Sequence, residues 1–489
     1  MQKQSTEQYR KIRIDKLKKI KKTGVNPYPS SCIKKNTAKE ALGMEGEKSA
    51  VTGRIRAWRG HGKMQFADLH DETGKIQIVF KADELKKEEF NLLKLLDIGD
   101  FLAVQGKIFK TKSGEVSVLV KDFQLLTKSL RPLPDKWHGI SDVEERYRRR
   151  YLDFIFNKNI KEKILLRTKV IKEIREYLDN SGFIEVETPI LETTASGALA
   201  KPFKTHINAY SMDIFLRICI GELWQKRLMS AGFEKTYELG RAFRNEGVSK
   251  EHNPEFTMLE YYWAYADFKQ NMDFQEKLIA FVVKKTLGDY KVKYQKETID
   301  FTPPYPRKKY FDLIKEETEV DIPKLNKEKL NKKARQMGLK IDKKWSFPKL
   351  IDEFYKEFVR PKIKGPLFLT HHPVELKPLA KLDQKDNGVV ESFQLLIAGF
   401  EVSNNYSELN DPLAQLKNFK QQKEMKKEGD EEAMVKDDDF IKALEYGMPP
   451  TTGTGIGIDR FVSLISDSHS IREVITFPLM KPKNNQKKR

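Results

Sequence analysis

Two ends of one polar loop carry the residues best suited to chemistry. Arg244, at the first end, has a planar and permanently charged guanidinium that suits a phosphate or a carboxylate. At the second end Phe256, Met258, Glu260 and Tyr262 share one face of a strand, because successive side chains alternate between faces. A cation, a ring able to stack on a base and an acidic pocket this close together predict a ligand-binding site.

A second segment offers two carboxylates, Glu401 and Glu408, with Asn404 and Tyr406 between them. Alternation places Glu408 on the face of Asn404 and Tyr406 and Glu401 on the other, so both reach one metal ion only if the strand bends or bulges. An oxygen-rich pair suits Mg²⁺ bound together with nucleotide phosphates. Two isolated surface acids are the ordinary alternative.

Alternating glycines mark a third segment, Gly453-Thr-Gly-Ile-Gly-Ile-Asp-Arg460. In a strand, these glycines leave one face bare, so that a ligand or another backbone can approach closely. A helix is expected to follow, with Arg460 at its start. No Gly-Lys-Ser/Thr follows, so this is not a Walker loop.

The composition sets the class of protein. A chain of 489 residues has material for two to three domains, and no apolar run reaches the ~20 residues that span a bilayer. The net charge of +20 favours a polyanionic partner, although solubility or an acidic membrane surface would also explain it. Cys32 and Cys219 are far apart and the N-terminus lacks an apolar signal core. We therefore expect a cytoplasmic protein without disulfides or membrane contact.

Short strand candidates near the N-terminus predict a small β-barrel with one helix between strands, the pattern of an OB-fold. These candidates are residues 51–58, 64–69, 75–80, 101–105 and 116–120, with the helix at 83–96. On such a barrel Arg59 could contact phosphate, Phe66 could stack on a base and Gln77 could read a base edge. Spacing alone favours the alternative, in which Phe66 belongs to the barrel core.

The spacing also predicts two helices. The first, at 8–22, is basic and amphipathic, which suits RNA binding, a membrane surface or a solvated cap. The second begins near residue 159 and ends at Gly182.

Three segments resemble, in order, the three motifs of class II aminoacyl-tRNA synthetases, and most closely those of the lysine-specific branch. The motif sequences are Gly182-Phe-Ile-Glu-Val-Glu-Thr-Pro189, Phe243-Arg-Asn-Glu246 with Phe256, and Gly453-Thr-Gly-Ile-Gly-Ile-Asp-Arg460. Supporting segments are Phe66-Ala-Asp-Leu-His-Asp71, Arg149-Arg-Tyr-Leu-Asp153 and Tyr406-Ser-Glu-Leu-Asn-Asp411. The resemblance covers nearly the whole chain.

This resemblance implies an α+β catalytic domain with an antiparallel class II synthetase sheet, preceded by an all-β OB-fold domain that binds an anticodon. We place a basic helix and lead-in at 1–48, the OB-fold at 49–128, a linker at 129–145 and the catalytic domain at 146–489. Residues 285–365 are rich in Lys and match no motif. We expect them to form a helical insertion.

The resemblance also assigns site residues, with Arg244 and Arg460 as the catalytic pair. ATP would contact Arg244, Glu246, His252, Asn253, Phe256 and Arg460. The lysine substrate would contact Gly197, Glu222, Glu260, Tyr262, Asn404, Tyr406 and Glu408. Glu401 and Glu408 would hold Mg²⁺, and Arg59, Phe66 and Gln77 would bind the anticodon.

The implied activity is activation of L-lysine with ATP to lysyl-adenylate, followed by transfer to the 3′ end of tRNA(Lys). The implied assembly is a homodimer formed around Pro189. Burying Glu222, Glu260 and Glu408 in one pocket without a cation would be costly, which favours a lysine ammonium as the ligand, whereas a pocket for aspartate would present cations. Lysylation of a protein and an inactive nucleic-acid-binding relative are the alternatives. Glu251 departs from the basic residue that many relatives carry before His252.

Overall fold

The computed structural model describes residues 5–134, 142–194, 196–198, 200–342, 345–427 and 434–483, without the side chains of residues 61 and 425–427. The chain divides into two compact units, residues 1–141 and 142–489. Residues 135–141 of the expected linker lie outside the described residues, and the domain boundaries drawn from the sequence remain predictions. No helix in the described ranges is long and apolar enough to cross a membrane.

The first unit is built on a barrel of five strands. Its helices and strands are, in chain order, α1 Thr6–Lys22, α2 Ala38–Ala41, β1 Lys48–His61, β2 Met64–His70, β3 Lys75–Lys81, α3 Lys87–Leu92, β4 Phe101–Lys110 and β5 Val116–Thr127. The barrel closes in the order β1-β2-β3-β5-β4, with β3 and β5 parallel. The predicted strands are all present, and the predicted helix between β3 and β4 is α3 followed by a 3₁₀ turn.

The barrel interior is filled by the apolar residues of alternating positions. On β2, Ala67 and Leu69 are buried inside, which turns Phe66 to the outer face, where it is half-buried. Helix α1 covers part of the barrel: Ile20 joins its core and the Arg13 guanidinium donates hydrogen bonds to the backbone carbonyls of Ile98 and Ser129. The basic helix is therefore a cap whose outer lysines remain exposed.

The second unit is built on one large sheet. Its elements up to the start of the insertion are α4 Val143–Arg148, α5 Arg150–Phe156, α6 Lys158–Asn180, β6 Ile184–Glu185, β7 Leu191–Glu192, β8 Lys204–Ile207, β9 Met212–Leu216, α7 Glu222–Ser230, β10 Lys235–Phe243, β11 Glu255–Ala264 and α8 Phe268–Leu287. Helix α6 ends before Gly182, which adopts a positive φ of 81°. Within residues 183–189, only β6 is a strand.

The remaining elements complete this sheet. They are β12 Lys291–Tyr294, β13 Glu297–Asp300, β14 Arg307–Lys309, α9 Tyr310–Thr318, α10 Lys327–Gln336, α11 Phe347–Phe358, β15 Leu367–Thr370, β16 Ser392–Ile397, β17 Phe400–Ser407, α12 Pro412–Lys427, α13 Asp438–Glu445, β18 Thr451–Gly457 and α14 Ile458–Ile465. The strand order is β14-β15-β16-β17-β18-β11-β10-β6, antiparallel except at the outer pairs β6–β10 and β14–β15.

Helices cover one face of this sheet. Val170 and Ile174 of α6 and Leu278 of α8 pack with Tyr237 and Tyr261 of the central strands in one apolar core. Because Tyr261 points into this core, its neighbours Glu260 and Tyr262 point to the opposite face. The candidate site residues of β11 therefore lie on the face that the core helices leave free.

The stretch 285–365 differs from the expected helical insertion. It contains α9, α10 and α11, but also the hairpin β12–β13 and strand β14, which joins the large sheet. Tyr310, Leu330 and Phe354 form an apolar cluster that includes Leu396 of β16. The stretch is thus anchored on the sheet edge.

Candidate functional site

The register of the central strands arranges the site in rows. Asn404 of β17 pairs with Gly455 of β18, Gly455 with Glu260 of β11, and Glu260 with Glu238 of β10. The next row on the same face contains Tyr406 of β17, Gly453 of β18 and Tyr262 of β11. A Cβ at position 453 would collide with the Glu408 carboxylate and the Tyr262 ring, so this glycine makes room for both.

An acidic pocket forms where helix α7 meets this row. Glu222, the first residue of α7, accepts hydrogen bonds from the Tyr406 hydroxyl at 2.5 Å and from Lys226 Nζ at 2.9 Å. The same ammonium lies 2.6 Å from Glu408 Oε2. Lys226 is a site residue that the sequence reasoning missed, although its spacing of four from Glu222 on a helix was a usable signal.

Glu260 completes the pocket from β11. Its Oε1 accepts the backbone N–H of Ile220 at 2.8 Å, and the Tyr262 hydroxyl lies 3.4 Å from its Oε2. Gly197 packs against the same place with a φ of 100°, and a Cβ there would lie 2.7 Å from Cys219 Sγ. The structure therefore brings the predicted lysine-binding residues together.

Burial sets the protonation of this pocket. It raises the pKa of Glu260 to about 8, with the charge of Glu222 acting in the same direction. Burial also raises the pKa of Glu408 to about 8, although Lys226 opposes the shift. Burial alone would lower the pKa of Lys226, but Glu222 and Glu408 hold it above its ordinary value. The pocket thus carries less negative charge at neutral pH than three ionised carboxylates would give.

The opposite end of the free face carries Arg244 and Phe256. Arg244 Nε donates to the backbone carbonyl of Ile218 at 3.1 Å, and its guanidinium carbon lies 5.2 Å from the centre of the Phe256 ring. Among the described residues its two terminal nitrogens have no hydrogen-bond acceptor. They are therefore available to an anionic ligand beside the ring.

Arg460 ties the polar loop to the sheet. Its Nη1 donates to the backbone carbonyl of Glu401 at 2.9 Å, and its Nη2 lies 3.0 Å from His252 Nε2. Burial, followed by the Arg460 charge, lowers the pKa of His252. The neutral ring is therefore the favoured form near neutral pH.

The loop places its other candidates unequally. Asn253 is buried and donates from Nδ2 to the Glu255 carbonyl at 2.7 Å, while its Oδ1 has no hydrogen-bond partner among the residues that the structure describes. Glu246 is exposed on the loop. The acid at Glu251 is neutralised from a distant segment, because Arg360 Nη2 lies 2.9 Å from its Oε2. Arg360 belongs to the stretch for which the sequence offered no function.

A β-bulge decides which face Glu401 occupies. Leu395 of β16 lies opposite Ser403, but the next residue, Leu396, lies opposite Glu401, so Val402 is an extra residue. Val402 and Ser403 are both buried against the helix-covered face. Glu401 consequently shares the free face with Asn404, which simple alternation did not allow.

Glu401 and Glu408 nevertheless do not converge. Glu401 lies opposite Leu396 and Tyr406 opposite Ser392, and Glu408 follows two residues later. At ~3.3 Å per strand residue the two Cα atoms are roughly 20 Å apart. Two ligands of one Mg²⁺, each about 2.1 Å from the ion, lie within about 4 Å of each other. One ion shared by both carboxylates does not fit this geometry.

A second buried lysine was also missed. Lys377, in the connection between β15 and β16, donates a hydrogen bond from Nζ to Asn404 Oδ1 on the free face. Burial lowers its pKa to about 8, although Glu401, Asp352 and Glu222 act in the opposite direction. No local pattern in the sequence links position 377 to position 404.

The barrel turns its three candidates to one outer face, where Arg59 is exposed, Phe66 is half-buried and Gln77 is buried. Arg59 and Phe66 are cross-strand partners, and Arg59 Nη1 lies 3.4 Å from Asp68, the partner of Gln77. The Gln77 amide is already engaged by Glu115 at 2.9 Å. Arg59 and Phe66 are thus more accessible than Gln77.

Comparisons with known proteins agree with this architecture. A family model of class II tRNA synthetases (D, K and N) matches residues 142–481, and a model of the OB-fold nucleic acid binding domain matches residues 50–126. The chain belongs to the class II tRNA synthetases. The fold predicted for this synthetase, an α+β catalytic domain after an OB-fold, is confirmed.

Relatives of this synthetase match along nearly their whole length. The lysine–tRNA ligase of Carboxydothermus hydrogenoformans is 45% identical over 99% of this chain and 100% of that protein. The lysine–tRNA ligase of Thermotoga maritima is 46% identical over 97% of this chain and 96% of that protein. That of Moorella thermoacetica is 46% identical over 96% and 97%.

Proposed function

We propose that this synthetase activates L-lysine with ATP and transfers the lysyl group to the 3′ end of tRNA(Lys). The observation that carries the proposal is the pocket in which Glu222, Glu260 and Glu408 meet the hydroxyls of Tyr262 and Tyr406. Buried carboxylates of this kind suit an ammonium side chain. The family model also covers aspartate and asparagine enzymes, whose substrates carry no such cation.

In this proposal the substrates lie along the rows of the sheet. The lysine ammonium groups contact Glu222, Glu260 and Glu408, with Gly197 and the tyrosines around them. ATP lies towards the polar loop, with its adenine between Phe256 and Arg460. Glu246, His252 and Asn253 supply further contacts to the nucleotide.

Arg244 would then lie at the reacting centre. The lysine carboxylate attacks the α-phosphorus of ATP in line, releasing pyrophosphate, and the ribose hydroxyl of tRNA next attacks the activated carbonyl. Chemistry of this type needs positioning and charge neutralisation rather than a side-chain nucleophile. The terminal nitrogens of Arg244, which are free among the described residues, supply both.

We propose that Mg²⁺ enters as the complex of ATP, because Glu401 and Glu408 are too far apart to form a resident site. Glu401, near Arg460, is the carboxylate able to approach the phosphates. Glu408 belongs to the lysine pocket, where Lys226 already binds it. The ion would contribute neutralisation of the phosphate charge.

The remaining assignments concern partners. We propose that Arg59, Phe66 and Gln77 of the barrel contact the anticodon. A homodimer in the cytoplasm is proposed through the segment around Pro189, where Ile184, Ile190 and Leu191 are each about half exposed. Light scattering tests the dimer directly.

The activity is tested by pyrophosphate exchange with each of the twenty amino acids, followed by charging of total tRNA. The proposal expects exchange with L-lysine and charging of tRNA(Lys). Exchange with aspartate or asparagine instead of lysine would refute the pocket assignment. Exchange with lysine without charging of tRNA would point to another lysyl acceptor.

A further inference from the structure

Lys377 brings an ammonium group into the centre of the catalytic sheet. Its side chain is almost fully buried, and its Nζ donates to Asn404 Oδ1. Asn404 lies in one row with Gly455 and Glu260. A Cβ at Gly455 would have the Met258 methyl as its nearest atom, at 3.4 Å. Because glycine has no Cβ, this space above the sheet stays open.

The two buried lysines of the site differ in their partners. Lys226 lies between Glu222 and Glu408, at 2.9 and 2.6 Å. For Lys377, no carboxylate oxygen of a described residue lies within the 4.0 Å of an ion pair. An ammonium has three donors, and a buried cation without an anionic partner is unfavourable. A bound anion would satisfy it.

The row spacing indicates which anion this is. Rows on one face are two residues, or about 7 Å, apart along the strands. If the lysine ammonium lies in the row of Tyr262 and Tyr406, the substrate carboxylate reaches the row of Asn404 and Glu260. Arg244 and Phe256 lie further along the same face, which is where ATP is proposed to bind.

We propose that Lys377 is a further substrate-binding residue, whose ammonium neutralises the reacting anion: the carboxylate of the amino acid or the α-phosphate that it attacks. This inference rests on the proposed function. It also agrees with the finding that Glu401 and Glu408 do not share a metal ion. Asn404 lies between them on the free face of β17, and the Lys377 ammonium is bound to it.

The test compares ligands with and without the carboxylate. Dissociation constants for L-lysine, L-lysinol and ATP are measured by calorimetry on the full-length protein and on the variants Lys377→Met and Lys377→Arg. Lys381→Met is the matched control, because Lys381 lies in the same connection and also binds an asparagine, Asn410 Oδ1, at 3.0 Å. If Lys377→Met does not fold, Lys377→Gln replaces it.

We expect Lys377→Met to weaken the binding of L-lysine or of ATP by about tenfold or more, because a charged hydrogen bond is lost. The dissociation constant of L-lysinol should not change. Weaker binding of L-lysine would identify the carboxylate as the partner of Lys377. Weaker binding of ATP would identify the α-phosphate. Lys377→Arg should retain most of the affinity. The proposal would be overturned if L-lysine and L-lysinol lost affinity equally, or if the dissociation constants of all three ligands stayed the same. If the unmodified protein bound neither lysine nor lysinol, the proposed function itself would fail.

Discussion

Glu408 Oε2 lies 2.6 Å from Lys226 Nζ, and both side chains are only 1% exposed. The acidic pocket therefore contains a cation of its own before any substrate enters. Lys226 binds Glu408 and one oxygen of Glu222. Glu260 and the other oxygen of Glu222 remain available to the substrate. Lysine recognition consequently depends on how an internal and an incoming ammonium share three carboxylates.

Lys226→Met should destabilise the protein. Removal of one partner from a buried ion pair costs about 3–5 kcal/mol of unfolding free energy. L-lysine should raise the melting temperature of the variant more than that of the unmodified protein, since its ammonium replaces the missing charge. Thermal unfolding with and without lysine measures this. Lys277→Met, on the exposed side of α8, is the control, and an equal loss in that variant would contradict the role of Lys226.

Lysine binding should release protons near neutral pH. Burial raises the pKa of Glu260 to about 8, so this carboxyl holds a proton below that pH when the pocket is empty. A bound ammonium favours the ionised carboxylates, and affinity should therefore rise as the pH increases from 6 to 8. Calorimetry in buffers of different ionisation enthalpy measures the released protons. A pH-independent affinity would show that the Glu260 carboxyl is already ionised.

Arg244→Ala should abolish adenylate formation. Loss of a preorganised donor at the reacting centre is expected to lower the exchange rate by about 10²-fold or more. Binding of tRNA should remain, because the barrel surface is untouched. Pyrophosphate exchange and filter binding check the two halves of this prediction. Arg241→Ala removes a nearby exposed arginine and should have little effect on exchange; comparable loss in both variants would refute a specific role for Arg244.

Arg360→Ala should raise the KM for ATP more than the KM for lysine. Without its partner at 2.9 Å, the Glu251 carboxylate would stand unneutralised beside the proposed phosphate site. An effect of about 1–2 kcal/mol corresponds to about five- to thirtyfold in KM. Glu251→Gln in the same background should recover part of the loss. Arg335→Ala, exposed on α10, is the control, and an unchanged KM for ATP in Arg360→Ala would separate this pair from the nucleotide.

Phe66→Ala should weaken charging of tRNA(Lys) without changing pyrophosphate exchange. Stacking of a base on an aromatic ring is worth about 1–3 kcal/mol, and Phe66 lies on the outer face beside Arg59. The KM for tRNA in the charging reaction is the measurement. Phe101→Ala removes a half-buried ring elsewhere on the barrel, under the Arg54 guanidinium, and serves as the control. Equal losses would indicate a general effect on barrel stability.

Local periodicity explains what the sequence predicted well. The alternation of Phe256, Met258 and Glu260 needs only the two-residue repeat of a strand, and the end of α6 needs only a glycine that tolerates positive φ. The same local signals predicted the strands of the barrel. The ordered motifs then identified the family.

Long-range pairing decided the rest. The face of Glu401 depends on the bulge at Val402, which exists only because β17 pairs with β16. The outer position of Phe66 depends on which side of β2 the barrel closes around. Neither the face of Glu401 nor that of Phe66 can be predicted from the residues next to it in the sequence.

The charges of the site were the least predictable part. Lys226, Lys377 and Arg360 lie in three different segments, and each meets its partner only after the large sheet has formed. By itself the sequence determined the family, the strands and the acidic residues, because those follow from local pattern and motif order. Only the tertiary structure decided which cations neutralise which acids, because that depends on distances between segments far apart in the chain.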